Sequence, residues 1–405
     1  MQSVIKNMRI CFISPPAMLD SGNSYPSLSL VHLATIIDKL KHELGCSIDV
    51  VDLQYYWISD KIDINDARTH SKILNIIAPQ KYDVLLFTSM CNSLALTLNI
   101  AKKCKEINKK GIIVLGGGQV SLVAEEIVKC FRFVDFIVKG EGEVTVVELL
   151  KSLKNGTDKR KIKGLVYVNN SKIVATGERG YLSDLDELPF PNYELLPRLS
   201  EYQSERKFGE YAVFIDVGRG CPYGCTYCAA SLIWGRTCRF KTPLRVITEM
   251  KHLSRRYGIK YFYFNHNQFF LKKNEIKEFC GLCKKEGFSG EWKIFARIDT
   301  LDFELIDLMI ASGCSGFFFG IESASKDRLK EIGKNISLSE AREYMEYIVN
   351  KGGECIASFI LGFPDETYAE LNSTLLYALN LAVKGVQLAC RSSSRFQTQL
   401  FGQNI

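Results

Sequence analysis

The sequence predicts an α/β protein in two parts, an N-terminal doubly wound parallel sheet and a C-terminal partial barrel of six βα units that is incomplete at its C-terminal end. Three observations carry this. Apolar runs of strand length alternate with amphipathic stretches of helix length. Glycine-rich turns follow several of the runs. An acidic stretch with two prolines, Leu185-Asp186-Glu187-Leu188-Pro189-Phe190-Pro191, separates two such series. At about 150 residues per domain, a chain of 405 residues has room for two or three domains.

In the first series, strand-like runs over Ile10–Ser14, Ile48–Leu53, Val84–Ser89 and Ile112–Leu115 alternate with helical stretches over Leu28–Leu44 and Leu94–Ile107. Gly116-Gly117-Gly118 leads into a helix over Ser121–Cys130, and Phe136–Val138 leads through Gly140-Glu141-Gly142-Glu143 into another. Open α/β sheets bind ligands at such strand ends, although a tight turn without a ligand reads the same way. Residues 156–182 form a hairpin across Asn169-Asn170. The second series begins near Tyr211, with strands over 212–217, 260–265, 292–298, 316–321 and 356–361 and helices over 243–257, 273–286, 302–312, 338–351 and 367–382. Repeated βα units of this length build a closed or partial barrel. A further strand is expected after Val386, but Ala389–Ile405 reads as a polar tail. The division is 1–155, then hairpin and linker over 156–205, then 206–405.

With 46% apolar and 24% charged residues and no low-complexity block, the chain has the composition of a folded protein. Its net charge of +7 is small for the length and scattered, which argues against nucleic acid as the partner. No apolar run approaches the roughly 18 to 20 residues of a membrane span. Met1–Met8 is polar and the next apolar stretch stops at Pro15-Pro16, so a reducing cytoplasm is the expected compartment. There, fourteen cysteines are metal ligands or buried thiols rather than disulfides.

Three of them follow the first strand of the second series, in Gly218-Arg219-Gly220-Cys221-Pro222-Tyr223-Gly224-Cys225-Thr226-Tyr227-Cys228. Structural zinc takes four protein ligands, and this loop offers no fourth; three thiolates suit a 4Fe-4S cluster with one open iron. Zinc, or three unrelated buried cysteines, is the competing reading. Cys280 and Cys283 lie in a helical stretch and read as packing, Cys238 could lie near the loop, and the remaining eight read as isolated small hydrophobes, most of them core.

Cys221, Cys225 and Cys228, with the aromatic Tyr227, resemble the C-x3-C-x2-C signature of radical S-adenosylmethionine enzymes. The resemblance implies a TIM-type partial barrel whose cluster binds S-adenosylmethionine through its open iron, cleaves the sulfonium with one electron and yields a 5′-deoxyadenosyl radical. It also implies an electron donor such as flavodoxin or ferredoxin. Similar enzymes place a polar cluster near ribose and methionine at the end of the fourth strand, which here is Gly320-Ile321-Glu322-Ser323. They bring backbone to adenine at the end of the fifth, here Ile360–Pro364 with Gly362. Arg297 and Asp299 end the third strand. Asn265, His266 and Asn267 end the second, where the family more often has acidic residues.

The first part and linker resemble the Rossmann-like cobalamin-binding domain that precedes the barrel in one subclass of these enzymes. Ser14-Pro15-Pro16, Pro26–Leu33, Thr88-Ser89, Gly116-Gly117-Gly118, Gly140–Glu143 and Leu185–Pro191 carry the likeness. It implies corrin binding near Ser14, Thr88, Ser89, Gly116, Gly117 and Gly118. Many such domains supply a histidine to cobalt from Asp-x-His-x-x-Gly after the first strand. Ser14–Pro26 has no histidine, Leu40 stands in the aspartate position before His42, and His32 reads as a helix-face residue. Cobalt is therefore expected to lack a protein imidazole. The expected activity is methylation of an unactivated centre in a small molecule or peptide. The alternatives are ring closure, rearrangement or oxidation by the same radical chemistry, and a noncatalytic cobalamin or metal sensor.

Overall fold

The computed structural model describes residues 7–16, 25–59, 61–62, 68–202, 212–266 and 272–392, which fall into two compact units. Asn267 and the segment between Pro16 and Tyr25 lie outside the described residues.

The first unit runs β1 (Met8–Ser14), α1 (Leu28–Leu44), β2 (Cys46–Asp52), α2 (Leu53–Ile58), α3 (Thr69–Ile77), β3 (Val84–Thr88), α4 (Leu94–Ile107), β4 (Ile112–Gly116), α5 (Gly118–Leu122), α6 (Ala124–Cys130), β5 (Phe136–Val138), α7 (Gly142–Asn155), β6 (Leu165–Asn169) and β7 (Lys172–Ala175). Its sheet has the order β2-β1-β3-β4-β5-β6-β7. The first five strands are parallel, and the hairpin β6–β7 continues the sheet in antiparallel register. Because strand side chains alternate, Ile10, Phe12, Val84, Leu86 and Val114 fill one face while Cys11, Ile13, Leu85, Phe87 and Leu115 fill the other. This two-sided burial is why the strands read as continuous apolar runs. The chain leaves β1 toward β2 and returns to β3, so the topological switch point lies at the carboxyl ends of β1 and β3.

Three local expectations differ from the structure. The helix expected over Ser121–Cys130 is broken into α5 and α6 at Val123, whose ψ of 33° is not helical. The helices α2 and α3 were not read from sequence, being only six and nine residues long. Of the cysteines expected as core, Cys11, Cys104, Cys314 and Cys355 are buried, but Cys91, Cys130 and Cys390 are exposed and Cys46 is half-buried.

The second unit runs β8 (Ala212–Ile215), β9 (Gly218–Arg219), α8 (Ala230–Trp234), β10 (Arg239–Phe240), α9 (Pro243–Tyr257), β11 (Tyr261–Phe264), α10 (Lys273–Lys285), β12 (Glu291–Ala296), α11 (Phe303–Ala311), β13 (Cys314–Glu322), α12 (Lys326–Glu331), α13 (Leu338–Asn350), β14 (Glu354–Leu361), α14 (Tyr368–Val383) and β15 (Gln387–Ser392). Six strands pair in parallel in the order β15-β14-β13-β12-β11-β8, and among the described residues β8 and β15 do not close on each other. The expected partial barrel is thus an open one. Its sixth strand extends into the stretch read as polar tail, because Gln387–Ser392 registers along Ile356–Leu361. Phe264 stacks on Trp292 at 5.3 Å, and Phe279 of α10 meets both edge-on, joining helix to sheet.

Candidate functional site

The first candidate site is a row of strand ends in the first unit. Ile13 pairs with Phe87, and Thr88 with Gly116, so Ser14, Thr88 and Gly116 end neighbouring strands at the switch point. Gly117 has φ of +111°, and a Cβ there would stand 2.3 Å from the Ser89 carbonyl oxygen. Only glycine fits that position. The Ser89 amide donates to the Gly116 carbonyl at 3.0 Å, locking the two turns together. Ser89 itself is buried, with its hydroxyl accepting from Thr97 and 3.4 Å from the Ser93 hydroxyl, so it shapes the turn from beneath. Gly116, Gly117 and Gly118 are half-exposed, and the neighbouring Met90 is 59% exposed. The Ser121 hydroxyl donates to the Gly117 carbonyl and accepts from the Gly140 amide, tying the β4 turn to the β5 turn. Bare backbone and an exposed thioether over a switch point suit a broad, flat ligand with an apolar face and a polar rim, and cobalamin fits that description.

The second site is the cysteine loop. It leaves β8 through Gly218-Arg219, which pairs antiparallel with Arg239-Phe240. Gly220 has φ of +93°, and a Cβ there would sit 2.2 Å from the Thr237 carbonyl oxygen. His266 Nε2 lies 2.8 Å from the Gly220 carbonyl, the Cys221 amide donates to Gly235, and the Thr226 amide donates to Ile332. The loop is therefore fixed at its entry, at its return and against the end of α12.

The three thiols are partly exposed and interact electrostatically with one another. Burial pushes the Cys221 and Cys228 thiols up, so in the free protein they hold their protons, while a coordinating metal deprotonates a thiol outright. The loop already offers partners to sulfur: the Ala230 amide donates to Cys228 Sγ at 3.5 Å, and Arg297 Nη1 stands 3.9 Å from Cys225 Sγ. Among the described residues no three His, Cys, Asp or Glu side chains gather round one point as ligands of a single ion do. A cuboidal cluster takes each thiolate on a separate iron, and three protein thiolates leave its fourth iron open. These donors fit the cluster. Cys238 lies within electrostatic reach of Cys221, and burial raises its thiol to about 11.

Beside the loop, three side chains meet that the sequence shows far apart. The Tyr227 hydroxyl donates to Glu322 Oε1 at 2.9 Å, and Lys334 Nζ donates to the same oxygen at 2.9 Å. Burial, then the Glu322 charge, pushes the Tyr227 phenol well above its usual range, so it stays a donor. Glu322 ends β13 with φ of +72°, a strained value for a residue with a side chain. A Cβ on Gly320 would sit 2.1 Å from Glu322 Oε1, so glycine there leaves the carboxylate its place. Ser323 is fully buried and turned toward Thr374 of α14, away from this group. Gly362 has φ of +79°, is exposed, and donates its amide to Glu366. Lys334 escaped the sequence reading. It reaches the group because Gly333, with φ of +71°, turns the chain after α12, where a Cβ would stand 3.3 Å from the Gly224 carbonyl oxygen.

The described residues thus give a doubly wound domain with a glycine-lined row of strand ends, and an open six-stranded parallel barrel carrying three cysteines after its first strand. Residues 215–378 match the Radical SAM superfamily, and residues 17–150 match the B12 binding domain. Over 388 residues the chain is 30% identical to an uncharacterized methyltransferase of Pyrococcus horikoshii, covering 95% of this chain and 80% of that relative. It is 23% identical to the anaerobic magnesium-protoporphyrin IX monomethyl ester cyclase of Cereibacter sphaeroides, covering 91% of this chain but only 59% of that relative. In fold it resembles the radical S-adenosylmethionine methyltransferase TsrM of Kitasatospora setae, solved with cobalamin and a 4Fe-4S cluster, at a TM-score of 0.72 and 16% identity, covering 95% of this chain and 72% of that one. The chain belongs to the radical SAM superfamily, in the branch that carries a B12-binding domain. No helix among the described residues is long and apolar enough to cross a membrane.

Proposed function

We propose that this chain is a cobalamin-dependent radical S-adenosylmethionine methyltransferase acting on a small molecule or peptide, working in the cytoplasm with an electron donor of the flavodoxin or ferredoxin kind. The observation that carries it is the anchored loop of Cys221, Cys225 and Cys228 in a chain whose 30% identical relative is named a methyltransferase. When bound, the cluster supplies one electron to the sulfonium and the corrin carries a methyl group.

In this reading the three thiolates hold the cluster, and Glu322 offers its carboxylate to the donor groups of S-adenosylmethionine, steadied by Tyr227 and Lys334. Gly320 makes room for the Glu322 carboxylate and Gly362 keeps backbone open to the same ligand, while Ser323 holds the strand end from behind. Ser14, Thr88 and Gly116–Gly118 meet the corrin, with Ser89 supporting the turn. The test is anaerobic incubation of the reconstituted full chain with S-adenosylmethionine labelled in its methyl group and candidate substrates. A product heavier by one labelled methyl is expected. A product without the label, whether of unchanged mass or lighter by hydrogen, would instead establish the ring-closing, rearranging or oxidative alternative. Turnover of S-adenosylmethionine at all excludes a noncatalytic sensor.

Two predictions arise here. Glu322→Gln should weaken S-adenosylmethionine binding about tenfold, or roughly 1.4 kcal/mol, measured by anaerobic equilibrium dialysis against the reduced protein. Unchanged affinity would make Glu322 a strand-end residue only. Gly117→Val forces a Cβ into the Ser89 carbonyl and takes a φ that branched residues avoid. That protein should lose retained cobalamin after desalting, read from corrin absorbance, and full retention would remove the β3 and β4 turns from the site.

A further inference from the structure

Arg297 follows β12 and is 8% exposed. Its guanidinium is gripped along one edge by a fork to Asp299, Nε to Oδ1 at 3.0 Å and Nη2 to Oδ2 at 2.7 Å. Its plane lies over Tyr223, with Cζ 4.0 Å from the ring centre. The remaining nitrogen, Nη1, is 3.9 Å from Cys225 Sγ. Tyr223 and Cys225 belong to the same loop, so the cation is clamped between a carboxylate and an aromatic face with one N–H group directed to sulfur. Such a fork leaves Arg little rotamer freedom, and its charge does not titrate in the accessible range. The positive charge beside Cys225 is thus a fixed feature of the site.

We propose that Arg297 raises the reduction potential of the iron–sulfur cluster carried by Cys225, by donating from Nη1 to that sulfur and holding a positive charge against it. The inference rests on the cluster assignment proposed above. The couple concerned takes up one electron, here from titanium(III) citrate, which becomes titanium(IV); no bond or proton changes partner. Each added electron makes the thiolate-bound cluster more negative, so a neighbouring cation favours the reduced form, as do hydrogen bonds to the sulfurs. Asp299 opposes this from the far edge of the guanidinium, and so its removal and that of Arg297 act in opposite directions. Arg297 is a positioning and tuning residue and needs no contact with substrate.

The test is a redox titration of the reconstituted full chain without S-adenosylmethionine, followed by electron paramagnetic resonance and by iron content. Arg297→Gln should lower the ratio of reduced to oxidised cluster at a fixed poise about tenfold, or about 59 mV for a one-electron couple. Arg297→Lys should fall between that value and wild type. Asp299→Asn, which keeps the arginine, should shift the potential upward, an outcome that loosening of the loop alone would not give. It also serves if Arg297→Gln fails to retain iron. Wild-type potentials in Arg297→Gln with full iron content, or no upward shift in Asp299→Asn, would overturn the proposal. A wild-type chain that binds no iron would overturn the cluster assignment instead, and the two failures are told apart by the iron assay.

Discussion

Alanine at Cys221, Cys225 or Cys228 should abolish retention of iron and sulfide, whereas Cys280→Ala and Cys283→Ala should leave both at the wild-type level. Two physical differences separate the sets. Cys280 and Cys283 are each 1% exposed on the inner side of α10, and burial lifts their thiols to about 11 and about 12. Each is met by its own backbone amide, and Cys280 also by the Ser312 hydroxyl, within the packed interior. The loop cysteines are partly exposed, close enough to influence each other's charge, and met by the Ala230 amide and by Arg297. Losing one of three ligands leaves two thiolates, too few to hold a cuboidal core with one open iron. Iron and sulfide analysis after anaerobic reconstitution, together with visible thiolate-to-iron absorption, measures the outcome. Stoichiometric zinc without that absorption in the wild-type chain would sink the assignment, and loss of iron in Cys280→Ala would move the cluster to α10.

The fold was legible largely because parallel strands are buried on both faces and so read as unbroken apolar runs, as in Ile10–Ile13 and Val84–Phe87. Helices with a long apolar stripe, such as α1 and α4, were equally plain. Short elements were not: α2 has six residues, and the break at Val123 leaves no signature that periodicity can detect. Within the site, local spacing showed the three cysteines, and strand ends showed Glu322 and Arg297. What stayed hidden were contacts that depend on packing across the sheet. Arg297 meets Cys225 over 72 positions of sequence, and Lys334 meets Tyr227 over 107. Ser323 shows the opposite case. Its place beside Glu322 suggests a ligand contact, yet it lies past the end of β13, where the left-handed φ of Glu322 turns the chain, and its hydroxyl meets Thr374 of α14.

Lys241→Met should cost the second unit about 3–5 kcal/mol, the penalty for stranding one member of a buried ion pair. Lys241 sits just past β10, before Thr242-Pro243 at the start of α9. In the structure its side chain and that of Glu249 are both fully buried, with Nζ 2.8 Å from Oε2. Arg245 approaches the same oxygen at 3.8 Å, while Glu249 Oε1 has no hydrogen-bond partner among the described residues. The carboxylate therefore depends on Lys241 for its one close contact. At roughly 2–4 °C per kcal/mol for a unit of this size, thermal unfolding should shift down by about 6–20 °C. The double variant Lys241→Met with Glu249→Leu removes both charges and should recover most of that loss, because two apolar side chains need no desolvation to be offset. The Lys241 amide donates to the Val217 carbonyl and prolongs the β9–β10 pairing that delivers the chain to Cys221. The single variant should accordingly retain less iron than wild type at temperatures below its own midpoint, and the double variant should regain it. An unchanged unfolding midpoint in Lys241→Met would mean that water reaches Glu249 and that the pair does not anchor the cysteine loop.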